Sequence, residues 1–263
     1  MPKLIIRNLL LFIGACLLAA TTCGGGSIQA QPARTILAIG AHAGDAELTS
    51  GALLVHQHQL GDRVVILHMS LGERGHPGMA PDDYAEQKRR EAEQAAEVIG
   101  AEVRFAPYQD GSVPDNEEAR RYVAEVIQDV QPTYILTHWR ESLHRDHAAT
   151  HAIVEDAVLL ASLQDTGLPN PPFRGVRGIY YAENWEDAGE FRPYVYVDVS
   201  TAESTWREAV MKYEFVRGDI SSYPYLDYYE ALHVVRGAEA RTERAIAFDI
   251  AASGKKRILN ALP

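Results

Sequence analysis

The sequence predicts an α/β fold, a three-layer sandwich in which helices cover both faces of a mostly parallel sheet. From residue 35 onward, short apolar runs alternate with longer segments of helical periodicity. Two of the helical segments stop at Gly61 and Gly100, residues that commonly end helices. The length of 263 residues suits one domain, because single cores stop growing at roughly 250 to 300 residues.

The predicted elements follow one another in strand and helix order. Strands are expected at residues 35–39, 63–69, 102–106, 133–137, 176–181 and 195–199. Helices are expected at residues 45–59, 84–99 and 115–130, from the end of the fourth strand through residue 160, and at residues 201–216. The helix at 115–130 is predicted to open with a capping pair, Asp115 and Glu118.

The first thirty residues differ from the rest of the chain. Lys3 and Arg7 form a charged start, an apolar stretch follows, and small and polar residues come next. This pattern is typical of an export signal, and it is too short to span a bilayer stably. Cys16 ends a lipoprotein-like box, Cys23 precedes a glycine-rich tether, and Ala30 suits ordinary signal peptidase. All three interpretations predict export to a bacterial envelope or periplasm, with membrane contact only through a lipid anchor on one of these cysteines.

Residues 31–263 form the predicted functional domain, and their composition limits its chemistry. They contain no cysteine, so a metal there must be bound by His, Asp or Glu. Removal of the two basic residues of the signal takes the net charge from -11 to -13. Such an acidic domain argues against a nucleic acid partner, since phosphate binding depends on Lys and Arg.

Polar segments follow the first and fourth predicted strands. Residues 40–47 read GAHAGDAE and place His42 and Asp45 on one turn, whereas residues 137–151 read THWRESLHRDHAATH. The carboxyl ends of parallel strands share one edge, so these segments are expected to meet. A catalytic zinc site uses three protein ligands and leaves one position for water. We therefore predict that His42, Asp45 and one histidine of the second segment bind zinc; a pair of ligands, His147 and His151, is the alternative.

Two further expectations concern the second segment and the tryptophans. Asp146 is predicted to orient His144, so that this imidazole acts as a proton donor or electrostatic stabiliser. Trp139 and Trp185 are candidates for stacking on a sugar ring, with packing in the core as the alternative for each.

The motifs together resemble the LmbE/PIG-L family of zinc-dependent N-acetylglucosaminyl deacetylases. They are GAHAGDAE, LGERG at residues 71–75, YQDG at 108–111 and HRDH at 144–147. The resemblance implies a Rossmann-like sheet and a zinc ion, or another divalent metal, held by His42, Asp45 and His147. It assigns assisting roles to His144 and Asp146. The implied reaction removes the N-acetyl group of an acetamido sugar or glycoconjugate by attack of a zinc-bound water.

One position departs from the family pattern. The family has its general base where this chain has Gly44, and glycine cannot accept a proton. Three explanations stay open: a different carboxylate acts instead, with Glu47, Glu73 and Asp110 as candidates; or His144 serves as base and acid in turn; or the protein has lost activity and binds carbohydrate through its metal.

The remaining candidate functions are weaker. Arg74 and Asp110 are expected to contact the substrate. A non-haem iron site formed by His144, Asp146 and His233 is the runner-up, but it leaves His42 idle, and such oxygenases are rich in β-structure. No GxGxxG follows the first strand and no GxSxG is present, which argues against nucleotide binding and a serine hydrolase.

Overall fold

The computed structural model of the protein describes residues 33–187 and 189–256. The predicted export signal and tether, residues 1–30, lie outside the described residues, so export and lipid attachment stay predictions. No helix of the described part is long and apolar enough to cross a membrane.

Strands and helices alternate through the first two thirds of the described chain, and helices predominate afterwards. In order they are β1 (Thr35–Gly40), α1 (Asp45–Gln59), β2 (Arg63–His68), α2 (Pro81–Ile99), β3 (Glu102–Phe105), α3 (Glu117–Val130), β4 (Tyr134–His138), α4 (Arg145–Ser162), β5 (Gly178–Ala182), β6 (Val195–Asp198), α5 (Glu203–Val210), α6 (Glu214–Arg217), α7 (Tyr225–Ala240), β7 (Ala245–Ile250) and a 3-10 turn, Ala252–Lys255.

The described strands form one sheet in the order β3-β2-β1-β4-β5-β7-β6. The first five are parallel, whereas β7 runs antiparallel to both β5 and β6. The predicted mostly parallel α/β class is therefore confirmed. Because the strand order reverses between β1 and β4, the loops that follow these two strands lie side by side at the carboxyl edge.

The central strand is buried on both faces. Ile36 and Ala38 belong to the core beneath α1, α2 and α5, and Leu37 and Ile39 belong to the core beneath α3 and α4. This alternation follows from the two-residue period of a strand, and it explains why β1 is a continuous apolar run. A strand packed on both sides gives the following loop a rigid base.

The structure differs from the predicted elements in several places. The helix predicted at 201–216 is two helices, α5 and α6, and Tyr213 is the N-cap residue of the second. The cap of α3 is Asn116, whose side-chain oxygen accepts the Ala119 N–H at 3.0 Å, rather than the predicted pair. Helix α7 and strand β7 lie outside the predicted elements.

Candidate metal centre

Three ligand atoms from two loops form a compact triangle. His42 Nδ1 lies 3.1 Å from Asp45 Oδ2, Asp45 Oδ2 lies 3.2 Å from His147 Nε2, and the two imidazole nitrogens are 3.3 Å apart. Tetrahedral zinc with ligand bonds of about 2.0–2.1 Å separates its ligands by about 3.3 Å. The structure thus brings together the three predicted ligands at spacings that suit one ion.

The turn after β1 sets the first two ligands. Asp45 Oδ2 accepts the backbone N–H of His42 at 2.8 Å, and the Asp45 N–H donates to His42 O at 3.2 Å. Gly44 has φ 109° within this turn, a left-handed conformation that glycine adopts without steric cost. The closed turn directs both side chains toward the loop after β4.

The first turn of α4 supplies the third ligand. His144 caps this helix, since its Nδ1 accepts the Asp146 N–H at 3.3 Å. The His147 N–H in turn donates to His144 O at 3.1 Å. This arrangement projects the buried His147 imidazole toward the turn after β1.

Carboxylates face the second nitrogen of each imidazole. His42 Nε2 is 3.2 Å from Asp110 Oδ1 and 3.4 Å from Asp146 Oδ2. His147 Nδ1 is 3.2 Å from Glu186 Oε2. Metal-bound histidines usually give their other N–H to a carboxylate or carbonyl, which fixes the tautomer and ring orientation. The surroundings of both imidazoles therefore fit a metal centre.

The charges around the triangle favour the charged forms of His42 and Asp45. Burial lowers the pKa of His42, but the Asp45, Asp110 and Asp146 carboxylates outweigh burial and raise that pKa well above its ordinary value. Burial raises the pKa of Asp45, but the charges of His147 and His42 hold it well below its usual range. A metal would have to displace the His42 proton in order to bind.

His138 borders the triangle without joining it, and the sequence did not single it out. Its ring stacks on His147 with centroids 4.1 Å apart, and its Nε2 accepts the Ala41 N–H at 2.9 Å. The lone pair that would bind a metal is therefore occupied. Burial and the charge of His147 lower the pKa of His138 to about 4, so its ring is neutral at physiological pH.

Two other histidines named above do not reach the centre. His151 Nδ1 lies 3.0 Å from His138 O and its side chain lines a different cavity, so the structure does not bring His147 and His151 together as a ligand pair. His233 Nδ1 lies 2.9 Å from Glu203 Oε2 and its ring packs against Trp206. The iron site that would combine His233 with the HRDH motif is not assembled.

The triangle opens into a cavity of about 260 Å³. Asp110, His144 and Glu186 lie on the metal side. Trp185, the only one of the two candidate tryptophans to line the cavity, stacks on Tyr223 with centroids 4.1 Å apart. Trp139 instead packs in the interior, with its Nε1 donating to Gly189 O at 3.0 Å.

Glu47 does not occupy a catalytic position, contrary to the prediction. Its side chain is fully buried behind the metal turn, where Oε1 accepts the Tyr213 hydroxyl at 2.8 Å and lies 3.2 Å from His68 Nε2. Two residues along a helix correspond to a rotation of about 200°, so Glu47 points away from the side chain of Asp45. It stabilises the core beneath the site.

Glu73 and Arg74 support a loop at the rim. Glu73 Oε1 accepts the Asp110 N–H at 2.9 Å, and the Arg74 N–H donates to Asp110 Oδ2 at 3.1 Å. The exposed Arg74 guanidinium donates to Gln109 Oε1 at 3.2 Å. Neither side chain lines the cavity, so Glu73 positions Asp110 instead of acting on substrate.

Asp146 serves a different histidine from the one predicted. Its fully buried carboxylate accepts the N–H groups of Gly111 at 2.7 Å and Val113 at 3.3 Å and faces His42. Only its backbone N–H contacts His144. Asp146 thus orients a metal ligand and ties the loop after β3 to α4.

The space beside Gly44 is occupied. A Cβ atom added at Gly44 would lie 2.7 Å from Phe215 Cζ and 3.7 Å from Lys88 Nζ. An aspartate at this position would clash with the ring and adopt a strained backbone. The space that an aspartate side chain would need at position 44 is therefore filled by the ring of Phe215, with the Lys88 ammonium group beside it.

The fold and the triangle define an α/β protein with a candidate metal centre, and sequence comparison gives its family. Residues 37–158 match the PIG-L family model, described as GlcNAc-PI de-N-acetylase. This part of the chain is a PIG-L/LmbE family domain, as the motifs indicated.

Similar proteins include enzymes of two kinds. The 4-oxalmesaconate hydratase of Pseudomonas putida is 24% identical over 84% of this chain and 88% of its own. The 1D-myo-inositol 2-acetamido-2-deoxy-alpha-D-glucopyranoside deacetylase of Kineococcus radiotolerans is 28% identical, covering 50% of this chain and 46% of its own. Among solved structures, N,N'-diacetylchitobiose deacetylase from Pyrococcus horikoshii shares the fold, with a TM-score of 0.73 at 17% identity, covering 83% of this chain and 84% of that one.

Proposed function

We propose that this protein is a metal-dependent de-N-acetylase acting on an acetamido sugar or glycoconjugate. The observation that carries the proposal is the triangle of His42 Nδ1, Asp45 Oδ2 and His147 Nε2, with edges of 3.1 to 3.3 Å, at the floor of a cavity. Two imidazoles and one carboxylate suit zinc and leave a coordination position for a reactant. The family description supports the same reaction class.

The metal and the chain have separate tasks. A divalent metal bound there would polarise the acetamide carbonyl and lower the pKa of a water molecule. His42, Asp45 and His147 would hold it, and Asp110 and Glu186 face the second nitrogens of the two imidazoles and fix their orientation.

His144 is placed to stabilise developing negative charge. Because its Nδ1 accepts a backbone N–H, its Nε2 carries the proton of the neutral ring and lies 4.0 Å from Asp110 Oδ1 at the cavity wall. Burial and the charges of His42 and His147 lower the pKa of His144, which favours the neutral ring. An N–H fixed beside the reacting carbonyl stabilises an oxyanion.

Aromatic rings form part of the cavity lining beside the metal ligands. They are Trp185, Phe215, Tyr225 and Tyr229. Flat apolar faces with a few polar groups between them suit the ring of a sugar. The predicted export of the protein leads us to propose a substrate in the cell envelope or outside the cell.

A metal-dependent hydratase is the second candidate. The relative matched over 84% of this chain is a hydratase, whereas the deacetylase relative matches over 50%. The glycine at the usual base position also weakens the case for amide hydrolysis, since losing a positioned base costs about 10²- to 10⁴-fold in rate. Loss of catalysis, leaving a metal-containing carbohydrate-binding protein, is the third outcome.

Acetate release separates these candidates. Purified zinc-loaded protein is incubated with N-acetylglucosamine and N,N'-diacetylchitobiose, and with unsaturated dicarboxylates whose ultraviolet absorbance falls on hydration. We expect acetate from at least one sugar and none from the metal-ligand variant His147→Ala. Hydration without acetate release would favour the hydratase. Sugar binding without either reaction would favour the binding protein.

A further inference from the structure

A buried lysine in the cavity wall lacks an acidic partner. Lys88 lies on α2, is 4% exposed and lines the same cavity as the metal triangle. Among the described residues, no carboxylate oxygen lies within 4.0 Å of its Nζ. Lysine is almost never fully buried unless it is paired, because an ammonium group loses its hydration in the interior. Such a group therefore needs a functional explanation.

The contacts of Lys88 satisfy only part of its hydrogen-bonding capacity. Its Nζ donates to Ala43 O at 2.5 Å and lies over the rings of Tyr213 and Phe215, 4.6 and 4.1 Å from their centroids. An ammonium group has three N–H donors, and one carbonyl accepts only one of them. Burial lowers the pKa of Lys88 to about 8, so the charged form still predominates at neutral pH.

Lys88 lies next to the metal turn. Its Nζ is 3.7 Å from the position of a Cβ added at Gly44, and its Cε is 3.8 Å from that of a Cβ added at Gly72, which itself lies 3.2 Å from His42 Cβ. The chain therefore has a cation close to the place where the family pattern has a carboxylate. More distant carboxylates, those of Glu91, Asp45, Glu47 and Asp110, raise the pKa of this ammonium group but do not outweigh the effect of burial.

We propose that Lys88 binds a carboxylate of the substrate, and hence that the substrate is an anion, such as an acetamido sugar that also carries a carboxylate group. Lys88 is the only lysine or arginine among the described residues that line the cavity. A carboxylate placed there accepts the free N–H donors and forms the direct ion pair that no carboxylate of the described residues makes with Lys88. The inference rests on the proposed function in taking this cavity as the substrate site, but it does not depend on which reaction follows.

Two sugars that differ by one acidic substituent test the proposal. N-Acetylmuramic acid is N-acetylglucosamine with a lactyl carboxylate on its ring, so the ratio of their dissociation constants isolates the effect of the anion. Calorimetric titration of zinc-loaded protein is expected to show the acid binding about tenfold tighter or more, as a charge-assisted hydrogen bond allows. In Lys88→Met the ratio should fall close to one, and Lys88→Arg should retain part of it. Lys212→Met, a partly exposed lysine on the surface, is the control and should leave the ratio unchanged.

Thermal unfolding guards against a folding artefact. Lys88→Met should unfold at the same or a higher temperature than wild type, because it removes a buried charge without an acidic partner. Equal preference for the acid in wild type and Lys88→Met, or no preference in wild type, overturns the proposal. Tighter binding of N-acetylglucosamine 6-phosphate than of the acid overturns the assignment of a carboxylate. Absence of acetate release refutes the deacetylase alone, since the binding ratio is measured without turnover.

Discussion

The two walls of the cavity arise in different ways. The metal wall comes from turns that directly follow β1 and β4, and its ligands are set by hydrogen bonds between neighbouring residues. The rest of the lining combines Trp185, Phe215 and Tyr225 with Lys88 of α2, which comes 97 to 137 residues earlier in the chain. The family match ends at residue 158, before these aromatic residues. The proposed metal ligands and Lys88 thus lie within the family match, whereas the aromatic part of the lining lies outside it.

Removing a ligand should have the largest effect. His147→Ala deletes one corner of the triangle, so zinc affinity should fall by more than about 100-fold, beyond the loss typical of an outer partner. The matched control is His151→Ala, one helical turn further along α4, which contacts His138 O. Competition with a chromogenic chelator measures both affinities. Similar losses in the two variants would contradict the assignment of ligands.

Weakening an outer partner should have a smaller effect. Asp110→Asn removes the charge that faces His42 Nε2 at 3.2 Å, and we expect about tenfold weaker zinc binding. Glu73→Gln keeps an oxygen acceptor for the Asp110 N–H and should change zinc affinity by less than Asp110→Asn does. The same chelator competition applies, and an equal or larger loss in Glu73→Gln would show that the loop, rather than the charge, supports the metal.

Zinc binding should depend on pH in a defined direction. The carboxylates around His42 raise its pKa in the metal-free protein, so a proton competes with zinc until the pH exceeds that raised value. Affinity should therefore increase by up to about tenfold per pH unit from pH 6 upward. Protonation of His42 also stabilises the folded metal-free protein. This stabilisation is complete below the unfolded pKa of about 6.5, and it disappears as the pH rises through the folded pKa. Titrations at pH 7 in two buffers of different ionisation enthalpy should show net proton release, and none would refute the prediction.

Disrupting the core behind the metal turn should affect stability more than zinc binding. Glu47→Gln alters the buried contacts with Tyr213 and His68 and should lower the free energy of unfolding by about 1–3 kcal/mol. The exposed Glu93→Gln on α2 is the control and should change little. Urea denaturation and zinc titration measure the two properties. A large loss of zinc affinity in fully folded Glu47→Gln would contradict the structural role and would indicate that Glu47 takes part in the metal site.

The elements that the sequence predicts correctly are those marked by local patterns, namely short apolar runs and helical periodicity. Strands β1, β2 and β4 are short apolar runs between clear helical segments, and the order of the elements placed both metal segments at one sheet edge. Helix α7 buries Tyr229, His233 and Gly237, which give no apolar stripe, so periodicity did not indicate it. Strand β7 is an apolar run that is absent from the predicted elements.

Three-dimensional packing accounts for the errors within the site. Its position two residues after Asp45 makes Glu47 a candidate in the sequence, yet helical rotation places it in the core. Proximity in the sequence pairs Asp146 with His144, whereas the Asp146 carboxylate faces His42, about a hundred residues away in the chain. Lys88 carried no motif. Only the packing of α2 against the metal turn and Phe215 places it in the cavity lining.

Anomalous diffraction at the zinc edge, from crystals of zinc-loaded protein, tests the central claim most directly. The account predicts one strong peak about 2.0–2.1 Å from His42 Nδ1, Asp45 Oδ2 and His147 Nε2 together. A peak bonded to His138 or His144 instead, or no peak within bonding distance of His147, would contradict it.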